Sequence, residues 1–424
     1  MKKTTKTPLK TNGIPLKPWV IRWVCPLLAI IFCLSIYFVA VKVGLGSFET
    51  VLRANPFETK IDDFELSDIC FAYNHETMVM DTNIILVDCT KDSRTEIAEK
   101  LRLIDSAGPR AVGLDILFND VKDTAGTDIL AKTLNRINSA KGNVVLAALF
   151  FPEDDSRTID EPFYQKLSAL NNGDRDLRFG YLVKNEVIKT KRLFVPYLLK
   201  TSGAADTAFD VAVLRAGFGA DSFKALNKYQ EKWKIINYHR MKFGNYRYTS
   251  LSNIADKNDL LKLRNKIILL GSFEDKGTED RHYTPLNQHI FGRSLPDMSG
   301  VEYHAQILSM MINKDFVTEL PFRNFFQVMI CYFMMMLFLN IHLHFPHLLH
   351  YFLDVVLLAG TFVMLFISSL LLEWLGIKLE PMDFLIPVFA CGLLLHLFIL
   401  AVKPVYINKL INFVNLKRNQ KNDT

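Results

Sequence analysis

The chain has 424 residues and a net charge of +6, and half of its residues are apolar, so it is long enough for two ordinary domains or for one domain with membrane spans. The apolar residues form four long blocks around a polar middle, and the excess positive charge lies largely in the two tails, a distribution typical of membrane proteins. No basic groove interleaved with aromatic residues is visible, so nucleic acid is not an expected partner.

The chain begins with a basic tail, residues 1–22, which has no acidic residue. Residues 23–41 follow as an apolar run of the length that crosses a bilayer. A cleaved signal peptide is the alternative interpretation. The run is long for such a peptide and no small-residue cleavage site follows it, which favours an uncleaved transmembrane anchor.

The polar middle, residues 48–321, opens with a strand, a helix and a strand over residues 83–118. An apolar run at residues 84–87 ends at Asp88, helical spacing continues to Gly108, and a second apolar run at residues 111–114 ends at Asp115. Continuous apolar strands joined by a helix are typical of adjacent parallel strands that are covered on both faces. We therefore expect an α/β domain with a mainly parallel sheet.

Later segments extend this pattern. We predict a helix around residues 131–137, and strands at residues 143–149 and 266–271. Residues 193–195 and 233–238 resemble short strands, residues 243–246 a hairpin turn, and residues 301–312 a closing helix.

Five stretches of the middle region together resemble a known family: Val87-Asp88 and residues 107–118, 268–272, 284–286 and 298–305. In order and spacing they are similar to the CHASE type 2 domain, the cyclase/histidine kinase-associated sensory extracellular domain. The resemblance covers most of residues 48–321. It implies a sensory domain outside the cytoplasm, without an invariant catalytic set. Many members carry a Trp- and Pro-rich segment after the first strand, whereas residues 90–95 here contain neither residue type.

Three more apolar runs, at residues 325–341, 348–372 and 384–402, predict transmembrane helices after the domain. The final segment, residues 403–424, is again basic. By the positive-inside rule both tails lie in the cytoplasm, which requires an even number of spans, here four. The expected protein is a multi-pass protein of the cytoplasmic (inner) membrane, with its central domain outside, together with the loop carrying Glu373, Glu380 and Asp383.

Three residues are candidate ligand-binding residues. Asp88 and Asp115 end strands that are predicted to be adjacent, and ligands of open α/β sheets bind outside such strand ends. The two carboxylates could bind a cation or a polar ligand, or share a proton; alternatively, each only caps its loop. Ser272, after Gly271, could help to hold an anion, although no phosphate-binding glycine pattern is present.

Other chemistry is not expected. Four residues could offer metal ligands, but their spacing matches no zinc motif, and we predict neither a metal nor a cofactor: Asp280, His282, His289 and His304. No hydrolase or metalloprotease motif appears and no nucleophile is paired with a base, so an enzyme is not expected.

Several features have two interpretations. Cys70 and Cys89 could form a disulfide in an extracytoplasmic domain or remain thiols. Four histidines in a predicted cytoplasmic loop could respond to protons or metal, or only lie at the headgroup level: His342, His344, His347 and His350. An apolar stripe over residues 406–414 predicts an amphipathic helix that rests on the membrane or packs against a second copy or a partner.

The expected function is that of a bacterial transmembrane sensor that detects a small molecule or an envelope protein. Family members often continue into an output domain, whereas about twenty residues follow the last span here, too few for an independent fold. The output should therefore come from a separate protein, and the resemblance also suggests a homodimer. The alternative is an envelope scaffold or assembly protein anchored in the inner membrane. A transporter is disfavoured because the spans contain few charges.

Overall fold

The computed structural model describes residues 66–74, 78–118, 124–151, 156–157, 162–169, 178–183, 190–199, 205–219, 234–243, 257–273, 281–286, 296–344, 347–389 and 392. These residues divide into two compact units. The first unit lies within Glu58–Glu319 and includes Leu370–Leu379. The second lies within Leu320–Ser369 and Glu380–Thr424.

A parallel sheet forms the centre of the first unit. Its strands are β2 (Ile84–Asp88), β3 (Ala111–Leu114), β4 (Val144–Phe151), β6 (Arg178–Val183) and β12 (Ile267–Gly271). Their order across the sheet is β2-β12-β3-β4-β6, with every neighbouring pair parallel. The short strand β5 (Ser156–Arg157) pairs antiparallel with the end of β4.

Smaller pairs of strands surround this sheet. β1 (Met78–Asp81) pairs in parallel with β11 (Arg240–Phe243). Three antiparallel pairs join β7 (Leu193–Phe194) to β10 (Lys234–Ile235), β8 (Tyr197–Leu199) to β9 (Ala205–Thr207), and β13 (Arg281–His282) to β14 (Met298–Ser299). β15 (Thr318–Glu319) pairs in parallel with β16 (Ile377–Lys378).

Seven described helices belong to the first unit: α1 (Leu66–Asn74), α2 (Arg94–Ala107), α3 (Thr124–Lys141), α4 (Pro162–Ala169), α5 (Phe209–Phe218), α6 (Lys257–Leu263) and α7 (Gly300–Asn313). Two of them start with a capping box, in which a serine and a glutamate three residues later satisfy each other's backbone N–H groups. The pairs are Ser93 with Glu96 at α2 and Ser299 with Glu302 at α7.

Side chains alternate between the two faces of the sheet, as the period of a strand requires. In β12, Ile267 and Leu269 belong to one buried cluster, whereas Ile268 and Leu270 belong to the other. Helices α5 and α7 fill the first cluster, and α2 and α3 fill the second. The unit is therefore a three-layer α/β/α arrangement, and the prediction of a mainly parallel sheet covered on both faces is confirmed.

The predicted adjacency of the strands ending at Asp88 and Asp115 is wrong. Strand β12 lies between them and pairs with both: Ile267 is in register with Ile84 on one side and with Ala111 on the other. The connection through α2 leaves a gap one strand wide between β2 and β3, and β12 fills this gap. Local sequence patterns identify strands but do not specify which distant strand enters such a gap.

Most other predicted elements are present with modest shifts of their ends. The predicted helix at residues 131–137 is the centre of α3, the strands at 143–149 and 266–271 are β4 and β12, and the closing helix is α7. The hairpin turn predicted at residues 243–246 lies largely outside the described residues. Cys70 and Cys89 are both buried thiols and form no disulfide.

The second unit contains the apolar helices. Helix α8 (Arg323–His344) and most of helix α9 (His347–Trp374) belong to it, and residues 381–389 are also helical. Among the described residues, two stretches are long and apolar enough to cross a membrane: Arg323–His342 and Tyr351–Trp374. The predicted span at residues 23–41, both basic tails and most of the span at residues 384–402 lie outside the described residues.

Two predictions about the loops between these helices need correction. Glu373 lies in the last turn of α9 and is buried, not in a solvated loop, because α9 continues to Trp374. The four clustered histidines are divided between the end of α8 and the start of α9, so the loop that was expected to carry them is much shorter.

Gly180 of β6 provides a test of the packing between the sheet and α5. A Cβ atom at this position would lie 2.3 Å from the Cα atom of Phe209, so Gly180→Ala forces apart two backbones. We expect it to lower the free energy of unfolding by about 3 kcal/mol or more, measured by denaturant unfolding.

Gly108→Ala is the matched control, because its Cβ would meet no atom within 4 Å. Only its φ of 73° opposes the substitution, and this should lower the free energy of unfolding by about 1 kcal/mol. Equal losses in the two variants would contradict this account.

Candidate functional site

Two groups of polar residues lie at the carboxyl ends of the parallel strands. The first, which we call the Thr90 loop, consists of Asp88, Thr90 and Ser272 and joins the ends of β2 and β12. The second, which we call the acid–histidine cluster, consists of Asp115, Asp210 and His304 and joins the end of β3 to α5 and α7.

Thr90 is the centre of the first group. Its backbone N–H and its hydroxyl both donate to Oδ1 of Asp88, at 2.9 and 2.5 Å. The Thr90 Oγ1 atom also accepts from the backbone N–H of Phe273 at 2.8 Å and lies 3.2 Å from Oγ of Ser272. Because the Thr90 proton is directed at Asp88, the Ser272 hydroxyl is the donor to Thr90. The loops after β2 and β12 are thus held together by side-chain hydrogen bonds.

Lys100 of α2 also stabilises the Thr90 loop. Its side chain is buried, and Nζ donates to the backbone carbonyl of Asp88 at 2.8 Å and to Oδ2 of Asp92 at 2.5 Å. Cys89 lies between these residues, and burial raises the pKa of its thiol, with a partial opposing effect of Lys100. The thiol is therefore protonated and unreactive near neutral pH, which favours a structural role.

The acid–histidine cluster is the more deeply buried group. Nδ1 of His304 and Oδ1 of Asp210 lie 2.9 Å apart, and both side chains are less than one-tenth exposed. Asp115 completes the cluster: its backbone N–H donates to the carbonyl of Leu270 at 2.8 Å, which fixes it at the sheet edge. Its Oδ2 atom is enclosed and has no hydrogen-bond partner among the described residues.

Burial and charge act on these groups in a consistent way. Burial raises the pKa of Asp115, the nearby His304 lowers that pKa in part, and the carboxylate of Asp210 raises it further. Asp115 is half-buried, and the enclosure of its Oδ2 atom favours the neutral form because the charged form loses part of its hydration.

Aromatic rings surround the cluster. Tyr303 and Phe209 each make an edge contact with the ring of His304, at centroid distances of 5.0 and 5.1 Å. His282 contacts Tyr303 at 5.4 Å, and burial lowers the pKa of His282 to about 4, with smaller effects of Lys191 and His304. The hydroxyl of Tyr238 is fully enclosed, has no hydrogen-bond partner among the described residues, and has a pKa raised mainly by burial.

The predicted site residues therefore fall into two places. Asp88 and Ser272 are brought together through Thr90, and the carboxylate of Asp88 makes the short-range contacts of a loop cap. Asp115 belongs to the other group, one strand further along the sheet. Of the four residues considered as metal ligands, His304 is paired with Asp210, and Asp280 and His289 lie outside the described residues. In the described part of the chain, no three His, Cys, Asp or Glu side chains are arranged so that they could hold a metal ion.

Sequence reasoning missed Asp210, Thr90 and Tyr238. Asp210 had a visible signal, because it is a single acid inside the apolar run of α5, Phe209–Phe218, and a lone acid on a buried helix face needs a partner. Thr90 and Tyr238 had none, since their importance depends on neighbours that are distant in the sequence.

Thr90→Val tests the first group. The substitution keeps the side-chain shape and removes the hydroxyl that binds Asp88 and accepts from Phe273. We expect a loss of about 1–3 kcal/mol in the free energy of unfolding, because the backbone N–H of Phe273 loses its acceptor and Oδ1 of Asp88 loses one of its two donors. Ser106→Ala, which removes an exposed hydroxyl bonded only to the carbonyl of Leu103, is the control and should cost less than about 0.5 kcal/mol. Similar losses in both would show that the Thr90 loop is not a structural unit.

Comparison with known proteins identifies the family. The model of the CHASE2 domain matches residues 61–341, about two thirds of the chain. No curated protein and no solved structure matches the chain. The matched region begins before α1 and contains the whole parallel sheet, both polar groups, helix α7 and most of helix α8. CHASE2 is a sensory domain family, and this chain belongs to it.

Proposed function

We propose that the protein is an extracytoplasmic sensor that relays its state through membrane helices to a separate output protein. In this proposal four helices span the cytoplasmic membrane, one before the sensory domain and three after it, and both tails are cytoplasmic. The stimulus is a small molecule, an ion or an envelope protein. The observation that carries the proposal is the way in which the apolar helices are connected to the first unit.

The chain leaves the first unit and returns to it at the same place. Strand β15 directly precedes α8, strand β16 follows α9, and the two strands pair in parallel, with Thr318 in register with Ile377. The backbone N–H of Thr318 also donates to the carbonyl of Gly376 at 2.9 Å. Helices α8 and α9, with 22 and 28 residues, are each long enough to cross the hydrocarbon core. An out-and-back crossing supports a position of the loop after α9 on the same side as the domain.

A small cavity of about 20 Å³ lies next to this connection, within the first unit. We call the residues around it the junction. They include Asp68 of α1, Arg192 before β7, Val317 before β15, Glu373 at the end of α9 and Lys378 of β16. The junction thus contains residues from the beginning of the domain and from both of its described connections to the apolar helices.

A buried ion pair holds the junction together. Nε and Nη2 of Arg192 donate to Oδ1 and Oδ2 of Asp68, at 2.9 and 2.5 Å, and both side chains are about one-tenth exposed. A bidentate pair of this kind fixes orientation as well as distance. The carbonyl of the same Arg192 accepts from the backbone N–H of Ile236 at 2.8 Å. Movement within the domain would therefore reach Val317, Glu373 and Lys378, which lie in the same unit next to the connections to α8 and α9.

The topology is tested by cysteine labelling. Glu99 is exposed on α2, whereas Cys70, Cys89 and Cys331 are buried, so Glu99→Cys adds one accessible thiol in the described part of the chain. We expect a membrane-impermeant maleimide to label this variant in intact spheroplasts. Lys409→Cys, in the predicted cytoplasmic tail, is the matched control and should react only after the membrane is permeabilised. Labelling of the two positions in the opposite order would overturn the proposed topology.

The relay is tested by locking the paired strands. Thr318→Cys combined with Ile377→Cys should form a disulfide under mild oxidation, because directly paired residues of neighbouring strands lie within disulfide range. Membranes carrying this variant are treated with a chemical crosslinker in the locked and the reduced state, and proteins linked to the cytoplasmic tails are quantified. If the protein is a sensor, we expect the yield of crosslinked protein to differ at least about twofold between the locked and the reduced state. The disulfide removes one of the two states of the paired strands.

The single variant Thr318→Cys under the same redox conditions is the control and should show no difference. A stable, stoichiometric partner whose yield is the same in both states would favour the envelope scaffold instead. Failure of the disulfide to form would show that β15 and β16 are not paired in the membrane-bound protein.

A further inference from the structure

We propose that the acid–histidine cluster is a proton-binding site, and that the protonation state of Asp115 is a signal which the sensory domain reads. The physiological role of this site depends on the proposed function, but the site itself can be tested without it. The ligand class is the proton, supplied by the medium outside the cytoplasm.

The composition of the cluster leaves one charge unbalanced. Asp210 is paired with His304 at 2.9 Å, and this imidazole, when it is protonated, balances one carboxylate. Asp115 is the second carboxylate, and its Oδ2 atom is enclosed without a hydrogen-bond partner in the described part of the chain. A single proton removes this unbalanced charge, and it requires no cavity for a larger ligand.

A second polar group faces the same region. The hydroxyl of Tyr238 is enclosed and lacks a hydrogen-bond partner among the described residues, and it is close enough to interact electrostatically with Asp210 and Tyr303. A buried hydroxyl without a partner is costly in a single state. Tyr238 and Asp115 both interact electrostatically with Asp210, so the hydrogen bonds around Asp210 are not all satisfied in the state described here.

Charged and titratable groups reach this region from every packed element. Asp115 comes from the end of β3, Asp210 from α5, and His304 with Tyr303 from α7. Around them lie five groups from other segments: Lys191, Arg192, Tyr238, His282 and Asp297. Asp297 is held by Thr284, whose backbone N–H and hydroxyl both donate to its carboxylate, at 2.9 and 2.5 Å.

The direction of the pKa shifts agrees with a proton site. Burial raises the pKa of Asp115, so this carboxyl binds a proton in less acidic medium than an exposed aspartate does. The pKa of His282 is lowered to about 4, so His282 remains neutral over the same range and does not compensate for the charge.

Helix α7 connects the cluster to the membrane helices. It carries His304 in its second turn, ends at Asn313, and is followed by β15 and then by α8 from Arg323. Gln306 donates to the carbonyl of His239 at 2.7 Å, and Ser309 donates to Oδ2 of Asp81 at 2.6 Å. A change in the charge of Asp115 relative to the Asp210–His304 pair thus acts on α7, the helix that leads through β15 into α8.

The test uses the full-length protein in lipid nanodiscs and compares wild type with Asp115→Asn by thermal unfolding between about pH 8 and about pH 5. A carboxyl whose pKa is raised in the folded state binds more protons folded than unfolded, so it contributes stability at low pH that is lost as the pH rises through its folded pKa. Asp115→Asn should therefore have a Tm higher than that of wild type by about 2 °C or more at neutral pH. This difference should shrink as the pH falls. Asp105→Asn, which removes a carboxylate paired with Lys141 in the last turn of α2, should show no such convergence.

A second measurement covers the case in which Asp115→Asn does not fold. Infrared difference spectra of the wild type between the same pH limits should contain the band of a carboxyl that becomes protonated, and His304→Gln should shift its midpoint to higher pH because it removes the neighbouring cation. Parallel Tm curves for wild type and Asp115→Asn, or an infrared midpoint unchanged by His304→Gln, would overturn the proton site. The converging Tm curves and the infrared shift can both be found while the yield of crosslinked partner is equal in the locked and the reduced state. That result would support the proton site and contradict the relay.

Discussion

The position of β12 is the constraint on which the rest of the first unit depends. This strand comes from the last third of the sensory domain, yet it lies between two strands from its beginning and is completely buried. Its four aliphatic residues supply both hydrophobic layers, because alternate side chains point to opposite faces of the sheet. The end of β12 also anchors the backbone of both polar groups. The backbone N–H of Cys89 donates to the carbonyl of Gly271, and that of Asp115 donates to the carbonyl of Leu270.

The two polar groups differ in their consequences although both lie at the same edge. In the Thr90 loop no enclosed side-chain oxygen lacks a partner, and the hydrogen bonds rigidify the connection of two strands. In the acid–histidine cluster one carboxylate oxygen and one phenol hydroxyl lack such partners. A fully satisfied group has one favoured state, whereas an incompletely satisfied buried group can be stabilised by the arrival of a ligand or a proton. The difference in hydrogen bonding, not the position at the sheet edge, distinguishes the candidate sensory site from a structural loop.

Much of the fold follows from local patterns. The apolar runs at β2, β3 and β12, and the helices that stop at Gly108 or start at Ser299, have strong signals in the sequence because burial and capping act over a few residues. The order of the strands does not, because it depends on which long-range pairing buries the most surface. The region from β7 to β11 was also difficult: its strands have two to four residues each, too few to establish a period.

The candidate site was predictable only in part. Asp88, Asp115 and Ser272 were identified because they directly follow buried strands, and all three lie at the expected edge. The partners that determine their roles, Thr90 for Asp88 and Asp210 with His304 for Asp115, come from other segments. Such partnerships are set by tertiary packing, so the same strand-end aspartate becomes a loop cap in one case and part of a buried cluster in the other.

The unequal lengths of α8 and α9 have a consequence for the lipid. Helix α9 is six residues longer than α8, which is about 9 Å of helix, yet the pairing of β15 with β16 returns the chain to its point of departure. In a bilayer the longer helix must tilt or extend beyond the hydrocarbon core to absorb this excess. A thicker or thinner bilayer would change that tilt, and the strain would arrive at Glu373 and Lys378. In the proposed topology, the lipid composition of the membrane would therefore act on the same two residues as the proposed movements of the domain.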